Sequence, residues 1–135
     1  MKNVEDSEFY MVLAFIFASQ AEEGAVFVLN DSHFIGASDS KDPCDFSAIK
    51  NCLSKSKNYN NTAIMYSTYV PTIEDVKDLI INEVRFLVYF PWFDLPSSVI
   101  DLAYKGKVEL FAFQGNLNWI RDRVNDLKKI GIFNI

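Results

Sequence analysis

Strand-like apolar runs alternate with helical patterns along most of this chain, and that alternation limits the folds it can adopt. The strand-like runs cover residues 25–29, 33–37, 62–69, 85–90 and 108–113. Helical patterns cover residues 7–23, 45–54, 72–82, 96–104 and 116–129. Strands that alternate with helices are usually joined by right-handed crossovers, which place helices on both faces of one sheet. The sequence therefore predicts a three-layer α/β/α fold.

The first part of this pattern contains a buried helix followed by a hairpin. Apolar positions nearly encircle the first helix, so we expect it to be buried on more than one side. Asp6 or Ser7 would begin this helix, and Gly24 would end it. Residues 30–32 have the composition of a turn, which predicts that the first two strands form an antiparallel hairpin.

Side chains that cap helices stand at the borders of the later segments. Asp45 precedes the second helical pattern and can accept hydrogen bonds from its first amides. Residues 72–75 have the shape of a capping box, in which Thr72 and Asp75 each bind a backbone amide of the other. Asn116 or Asn118 can cap the closing helix. These residues fix where the predicted helices begin.

Length and charge restrict the class of protein. With 135 residues, of which 50% are hydrophobic, the chain has the size of one domain, so we expect a single domain over residues 1–135. The formal net charge is -5 at pH 7. An acidic chain lacks the basic surface that supplies most non-specific affinity for nucleic acid. We therefore expect no direct nucleic-acid binding.

Cysteine content and the first residues predict a cytoplasmic location. Cys44 and Cys52 are the two cysteines, whereas a secreted chain of this size usually carries several disulfide-bonded pairs. The chain begins with acidic residues where a signal peptide would be basic. The apolar run at residues 11–18 is far too short to span a bilayer, so no membrane contact is expected.

Two stretches after the hairpin carry a resemblance to a known family. They read D-P-C-D-F-S-A-I at residues 42–49 and T-A-I-M-Y-S-T-Y-V-P at residues 62–71. These resemble the motifs D-P-x-x-H-A-E-x-x-A-I and A-T-L-Y-V-T-x-E-P-C-x-x-C of the cytidine, deoxycytidylate and tRNA-adenosine deaminase superfamily. The resemblance covers about the first 115 residues. It implies a cytidine-deaminase-like mixed sheet of five strands in the order 2-1-3-4-5.

The positions that should hold the catalytic metal carry unsuitable residues. The resemblance places the family's histidine on Pro43, its general acid/base glutamate on Asp45, and its two cysteines on Thr72 and Asp75. Zinc in these enzymes takes three thiolate or imidazole ligands and leaves a fourth position for the attacking water. Proline offers no donor, and a threonine hydroxyl stays protonated at neutral pH. The chain is therefore predicted to be a degenerate member with no zinc and no other cofactor.

Other arrangements of the same residues do not restore the site. A register shifted by one residue puts Cys44 at the histidine position, but Phe46 then replaces the glutamate. His33 is the single histidine and lies in the predicted hairpin, away from both helix starts. Asp45 and Asp75 together could bind a hard cation such as Mg²⁺ in an altered enzyme, which we rank last.

Aromatic residues supply the remaining functional signal. The chain contains 12 Phe, 6 Tyr and 2 Trp, and aromatic anchors are enriched at protein interfaces. Tyr69, Trp92, Phe93 and Trp119 fall near strand ends or on the last helix, so they are candidate interface residues. We predict a catalytically inactive, deaminase-like protein that acts through protein contacts, as a homo-oligomer or as the partner of another chain. The alternative is a sensor that binds a nucleotide or nucleobase in the vestigial pocket.

Overall fold

The computed structural model describes residues 4–18, 23–28, 34–39, 47–55 and 63–129, and the structural statements below concern these residues. They form five helices and five strands. In chain order the elements are α1 (Val4–Ala18), β1 (Gly24–Val28), β2 (Phe34–Asp39), α2 (Ala48–Lys55), β3 (Ile64–Ser67), α3 (Ile73–Ile81), β4 (Phe86–Tyr89), α4 (Ser97–Lys105), β5 (Glu109–Ala112) and α5 (Leu117–Lys129).

The strands form one mixed sheet in the order β2-β1-β3-β4-β5. β1 pairs antiparallel with β2 and with β3, whereas β3, β4 and β5 run parallel. The parallel strands are joined through α3 and α4, as expected for crossover connections. The α/β class and the mixed sheet predicted from the sequence are confirmed.

Helices cover both faces of the sheet. Successive residues of a strand point to opposite faces, so Phe27 and Leu87 pack with α2, α3 and α4 in one buried cluster. Val26 and Val88 point the other way and pack with α1 and α5 in a second buried cluster. β1 and β3 are buried along their whole length, which explains why these runs are continuously apolar instead of alternating.

Gly24 has a role different from the one predicted for it. The described part of α1 runs to Ala18, and Gly24 is the first residue of β1. Its amide donates to Thr68 Oγ1 at 3.0 Å, and its carbonyl accepts from the Thr68 amide at 3.0 Å. A Cβ at this position would lie 2.1 Å from the carbonyl oxygen of Ala14. A glycine is therefore needed because α1 passes directly against the start of the strand. The residues before it, 19–22, where the predicted helix would end, lie outside the described residues.

The helix starts also differ in part from the sequence expectation. α2 begins with Ser47, whose Oγ accepts from the Lys50 amide at 3.1 Å, so Ser47 is the cap. Asp45, the predicted cap, lies outside the described residues. α5 begins as predicted with Asn116, whose Oδ1 accepts from the Asn118 amide at 2.7 Å.

α3 and α4 end in the same way. The residues that follow their C-caps, Glu83 and Lys107, have φ values of 60° and 61°. The Glu83 amide donates to the Ile80 carbonyl at 3.1 Å, and the Lys107 amide donates to the Tyr104 carbonyl at 3.2 Å. The amide of the residue after each of them donates to the helix carbonyl one residue earlier than the carbonyl just named, so each helix end is a Schellman motif. Glycine is the usual left-handed residue in this motif. Both left-handed residues here carry charged side chains instead.

No helix in the described part of the chain is both long enough and apolar enough to cross a membrane.

Candidate functional site at the carboxyl edge of the sheet

The parallel strands β3 and β4 end at one edge of the sheet, which we call the carboxyl edge. β1 begins at this edge because it runs antiparallel to β3, with Ala25 paired to Ser67. α2 and α3 begin here as well, close enough for a direct side-chain contact between their first turns. In sheets of this kind, ligands commonly bind beyond the carboxyl ends of the strands. Of the residues that the resemblance assigned to the metal site, Thr72 and Asp75 fall at this edge.

Thr72 and Asp75 form the capping box that the sequence predicted. The Asp75 amide donates to Thr72 Oγ1 at 3.2 Å, and the Thr72 amide donates to Asp75 Oδ2 at 3.0 Å. Thr72 Oγ1 also lies 3.1 Å from Asp75 Oδ2 and donates its proton to it. The Asp75 side chain is buried, with a relative exposure of the residue of 1%. Both residues therefore have a structural role at the start of α3.

The second oxygen of Asp75 joins α3 to α2. Asp75 Oδ1 accepts from Ser47 Oγ at 2.6 Å and from the Tyr69 hydroxyl at 3.2 Å. Ser47 is the cap of α2, so this hydrogen bond connects the starts of two helices that lie 28 residues apart in the sequence. A carboxylate offers about four acceptor positions, and four donors occupy those of Asp75.

The first amides of α2 are also satisfied by side chains from elsewhere. The Ala48 amide donates to Glu23 Oε1 at 3.1 Å, and the Ile49 amide donates to the Tyr69 hydroxyl at 3.2 Å. Amides in a first helical turn have no partner within the helix, so these contacts remove the donors that could otherwise hold an anion. We call Glu23, Ser47, Tyr69, Thr72 and Asp75 the hydrogen-bonded cluster.

Tyr69 stays protonated within this cluster. Burial raises the pKa of its hydroxyl well above the usual 10.0, and the negative charges of Asp75 and Glu23 raise that pKa further. The neutral phenol can therefore donate to Asp75 while accepting from the Ile49 amide. The cluster therefore consists of two carboxylates, Glu23 and Asp75, that accept from neutral donors, and it has no strongly nucleophilic group.

Sequence reasoning missed three members of this cluster. Glu23 was assigned to the end of the first helix, Ser47 was passed over for Asp45, and Tyr69 was considered only as an interface residue. A signal for Ser47 was its position directly before the apolar helical face that begins at Ala48. Nothing local to Glu23 or Tyr69 indicated a partner 20 or 25 residues away.

The described residues of the cluster do not fit a zinc site of the deaminase type. Thr72 and Ser47 offer protonated hydroxyls, and the carboxylate of Asp75 is already used by four donors. Thiolate and imidazole are the donors that such sites use. Over the described ranges, no three His, Cys, Asp or Glu side chains converge in a way that could hold a metal ion. Pro43 and Asp45 lie outside the described residues, as do Cys44 and His33.

Trp92 and Phe93 follow β4 at the same edge, and they differ in how firmly they are held. The Trp92 indole N–H donates to the Thr68 carbonyl, and its ring lies 4.8 Å from that of Phe90 and 6.3 Å from that of Phe15. Trp92 is nevertheless 48% exposed, and Phe93 beside it is 61% exposed. An anchored and an exposed aromatic residue therefore lie side by side.

Trp119 is placed elsewhere, on α5. It is 39% exposed, and the guanidinium of Arg123 lies 5.7 Å from the centre of its ring. The ring contacts of the described residues do not join Trp119 to Trp92 or Phe93. Of the four candidate interface residues, Trp92 and Phe93 are neighbours in the chain after β4, Trp119 lies on α5, and Tyr69 belongs to the hydrogen-bonded cluster.

Neither a family model nor a curated protein sequence matches the chain. Solved structures do resemble it. A dCMP deaminase from the cyanophage S-TIM5 in its apo form shares 23% identity with a TM-score of 0.63, over 83% of this chain and 99% of that one. The NE0047 protein in complex with 2,6-diaminopurine shares 16% identity with a TM-score of 0.64, over 99% of this chain and 87% of that one.

A third similar structure comes from a study of A-to-I editing by tRNA deaminases at the wobble position. It shares 21% identity with a TM-score of 0.53, over 60% of this chain and 73% of that one. At these identities the likeness concerns the fold alone. The chain has the fold of the cytidine, dCMP and tRNA-adenosine deaminases.

Proposed function

We propose that this chain is a deaminase-fold protein without zinc-dependent deaminase activity and that it acts through contacts with other proteins. The proposed lack of zinc-dependent activity rests on the burial and hydrogen bonding of the Asp75 carboxylate. Its carboxylate is buried and accepts four hydrogen bonds from Ser47, Tyr69 and Thr72. A metal ion at this place would have to displace donors that hold the starts of α2 and α3 together.

A third alignment of the family motif with this sequence also leaves the catalytic positions empty. Placing its D-P on Asp42-Pro43 puts the histidine on Phe46 and the glutamate on Ala48. Ala48 is fully buried in the first turn of α2, and its amide is bound to Glu23. A methyl group cannot move protons between water and a base, which is the task of the family's glutamate. The registers that place these residues on Pro43 and Asp45, or on Cys44 and Phe46, leave the site equally incomplete.

Metal analysis of the full chain tests this part. Protein expressed with added zinc and dialysed against a weak chelator should hold far less than one zinc ion per chain. Incubation with cytidine, dCMP or adenosine should release no ammonia above the buffer level. One zinc ion retained per chain, or turnover of any of these substrates, would contradict the proposal.

The second part rests on the pair Trp92 and Phe93. Trp92 is held by the Thr68 carbonyl and by neighbouring rings, so it would lose little conformational freedom on binding a partner. Phe93 exposes most of its ring directly beside it. Rigid aromatic side chains with a free face are typical centres of protein interfaces. We assign this pair to a contact with a second copy or with another chain.

Light scattering after size-exclusion chromatography, over a range of protein concentrations, measures self-association. Phe93→Asp should weaken it, because a charge in the contact must be desolvated. The matched control is Tyr104→Asp, since Tyr104 is 85% exposed on α4 and lies outside this pair. A wild-type monomer at every concentration, with no co-purifying protein, would contradict this part of the proposal.

A base sensor is the second candidate function. Its support is that the structurally similar NE0047 protein has been solved with 2,6-diaminopurine and with 8-azaguanine. If this chain binds a base at the carboxyl edge, the ligand must raise the melting temperature, because it stabilises only the folded state. Thermal unfolding with and without 2,6-diaminopurine, 8-azaguanine and cytidine tests this. An unchanged melting temperature at millimolar ligand would remove the candidate.

A further inference from the structure

A cavity lies at the opposite edge of the sheet, where β4 and β5 begin. Its volume is about 640 Å³, which is within the range of roughly 300–1,000 Å³ usual for small-molecule sites. Arg85, Lys105 and Lys107 line it together with Glu109, so cations outnumber acids. A smaller adjoining cavity shares Arg85 and Lys107 and adds Glu83. This concentration of positive charge contrasts with the net charge of -5 of the whole chain.

The three cations are placed by rigid elements. Arg85 directly precedes β4, and its carbonyl accepts from the Glu109 amide at 2.7 Å, which joins the residue before β4 to the first residue of β5. Lys105 is the last residue of α4, and Lys107 follows the C-cap Gly106. A Cβ at Gly106 would lie 2.2 Å from Ile80 Cδ1, so the end of α4 is packed tightly against α3. The charged groups are therefore presented from a fixed backbone.

None of these three cations forms an ion pair with a residue that the structure describes. Within the described ranges, the ion pairs are Lys77 with Glu74 and Arg123 with Asp126, and none involves the three cations of the cavity. The carboxyl ends of α3 and α4 carry a partial negative charge that favours cations nearby. A helix dipole can keep a cation in place without occupying its donors. The guanidinium and ammonium groups thus remain available to a ligand.

Two features indicate what the ligand would be. Arginine and lysine together bind phosphate groups well, since arginine offers a planar pair of donors and lysine a compact charge. Phe86 and Tyr104 add aromatic surface to the same cavity, and Tyr104 is 85% exposed at its rim. An exposed aromatic ring beside cations can stack against the ring of a nucleotide.

We infer that this cavity, the amino-edge cavity, binds a ligand that carries two or more linked phosphate groups. Arg85, Lys105 and Lys107 hold the phosphates, and Tyr104 contacts a ring attached to them. The inference does not depend on the proposed function, because the cavity and the hydrogen-bonded cluster lie at opposite edges of the sheet.

Isothermal titration of the full chain at low salt tests the inference with three probes: tripolyphosphate, ATP and adenosine. Tripolyphosphate should bind, with affinity falling as salt rises, and adenosine should not bind at this cavity. Tighter binding of ATP than of tripolyphosphate would assign the ring to Tyr104, and Tyr104→Ala should then remove the difference. Equal binding would identify the polyphosphate alone as the ligand and would overturn the role of Tyr104.

The variants Arg85→Gln and Lys107→Gln should each weaken tripolyphosphate binding by about tenfold or more, which is typical for removing a hydrogen bond to a charged group. The matched control is Arg121→Gln, which removes an exposed cation from α5 on the other face of the sheet. The control should change the affinity by less than about twofold. Equal losses in all three variants, or no binding of tripolyphosphate at millimolar concentration, would overturn the inference. Circular dichroism confirms that each variant is folded.

Discussion

Polar groups are arranged in opposite ways at the carboxyl and amino ends of the parallel strands β3, β4 and β5. At the carboxyl edge, Asp75 and its neighbours satisfy each other, so that the buried carboxylate has no acceptor position left. At the amino edge, Arg85, Lys105 and Lys107 surround a cavity and form no ion pair with the described residues. Each edge is built from the ends of the same strands and of α3 and α4.

This difference indicates which polar groups stabilise the fold and which remain able to bind a ligand. A group whose hydrogen bonds are all made within the protein contributes to folding and offers little to a ligand. A charged group with unused donors contributes little to folding and can be used in recognition. The hydrogen bonds at the carboxyl edge therefore contribute to stability, whereas the cations at the amino edge keep donors that the described residues do not use.

Asp75→Ala should have the largest effect on stability. It would leave the hydroxyls of Ser47 and Tyr69 and the amide of Thr72 without their acceptor in a buried place. Each such donor costs about 1–3 kcal/mol, and the lost cap adds about 1 kcal/mol, so we expect the free energy of unfolding to fall by about 4 kcal/mol or more. Urea denaturation followed by circular dichroism measures this.

Glu74→Ala is the control for that variant. Glu74 lies in the same helical turn, but it is exposed and its ion pair with Lys77 spans 3.4 Å at the surface. Such pairs contribute little, so the free energy of unfolding should change by less than about 0.5 kcal/mol. Equal losses in the two variants would mean that the hydrogen-bonded cluster does not hold α2 to α3.

Tyr69→Phe should give a smaller loss that depends on pH. At neutral pH the variant loses the contacts with Asp75 and the Ile49 amide, which we expect to cost about 1–2 kcal/mol. The pKa of the hydroxyl is raised above 10.0 in the folded state, so above pH 10 the unfolded wild type releases this proton first. The wild type therefore loses stability as pH rises above 10, a loss that Tyr69→Phe does not share.

The difference in the free energy of unfolding between wild type and Tyr69→Phe should accordingly be constant below pH 9 and shrink above pH 10. Chemical denaturation of both proteins between pH 7 and pH 11 measures it. Taking the difference removes the contribution of the other tyrosines, including Tyr89, whose pKa is also raised by burial and by Asp94. A difference in the free energy of unfolding that stays constant or grows above pH 10 would be inconsistent with a buried, neutral Tyr69.

Lys107→Gly, a change at the amino edge, should stabilise the protein. With φ at 61°, a lysine is in a conformation that glycine adopts without cost, so the free energy of unfolding should rise by about 0.5–1 kcal/mol. Glu83→Gly should behave in the same way, because its φ is 60°. Both changes are measured by thermal unfolding.

Lys105→Gly is the matched control, since Lys105 has the same side chain but is helical. It should destabilise by about 0.5–1 kcal/mol, as glycine does within helices. If Lys107→Gly stabilises the fold and also weakens tripolyphosphate binding, the chain keeps a strained residue for recognition. If Lys107→Gly destabilises, the left-handed turn is not a source of strain.

The sequence predicted features that depend on neighbouring residues. The capping box of Thr72 and Asp75 and the cap at Asn116 were readable because donor and acceptor are within three residues of each other. The α/β class was readable because strand and helix periods alternate along the chain. These features follow from local patterns, and the structure confirms them.

Contacts between residues far apart in the sequence could not be predicted from it. Ser47 binds Asp75 across 28 residues, and the Ile49 amide binds Tyr69 across 20, so neither pair leaves a local pattern. The sequence indicated Gly24 only as a helix end, because glycine ends many helices, and did not show that Gly24 allows α1 to approach β1. The amino-edge cavity was also missed, because Arg85 and Lys107 are brought together only by the pairing of β4 with β5.

The position of β5 at the end of the strand order has a consequence for how this protein behaves when concentrated. A strand at the margin of a sheet can recruit strands from other molecules through its outer backbone groups. β5 has only four residues and begins with the exposed, negatively charged Glu109. A short margin that starts with a charge is a poor template for intermolecular sheet growth. Replacing Glu109 with valine would extend the apolar margin and should promote aggregation first during refolding, when such strands meet before the helices cover them.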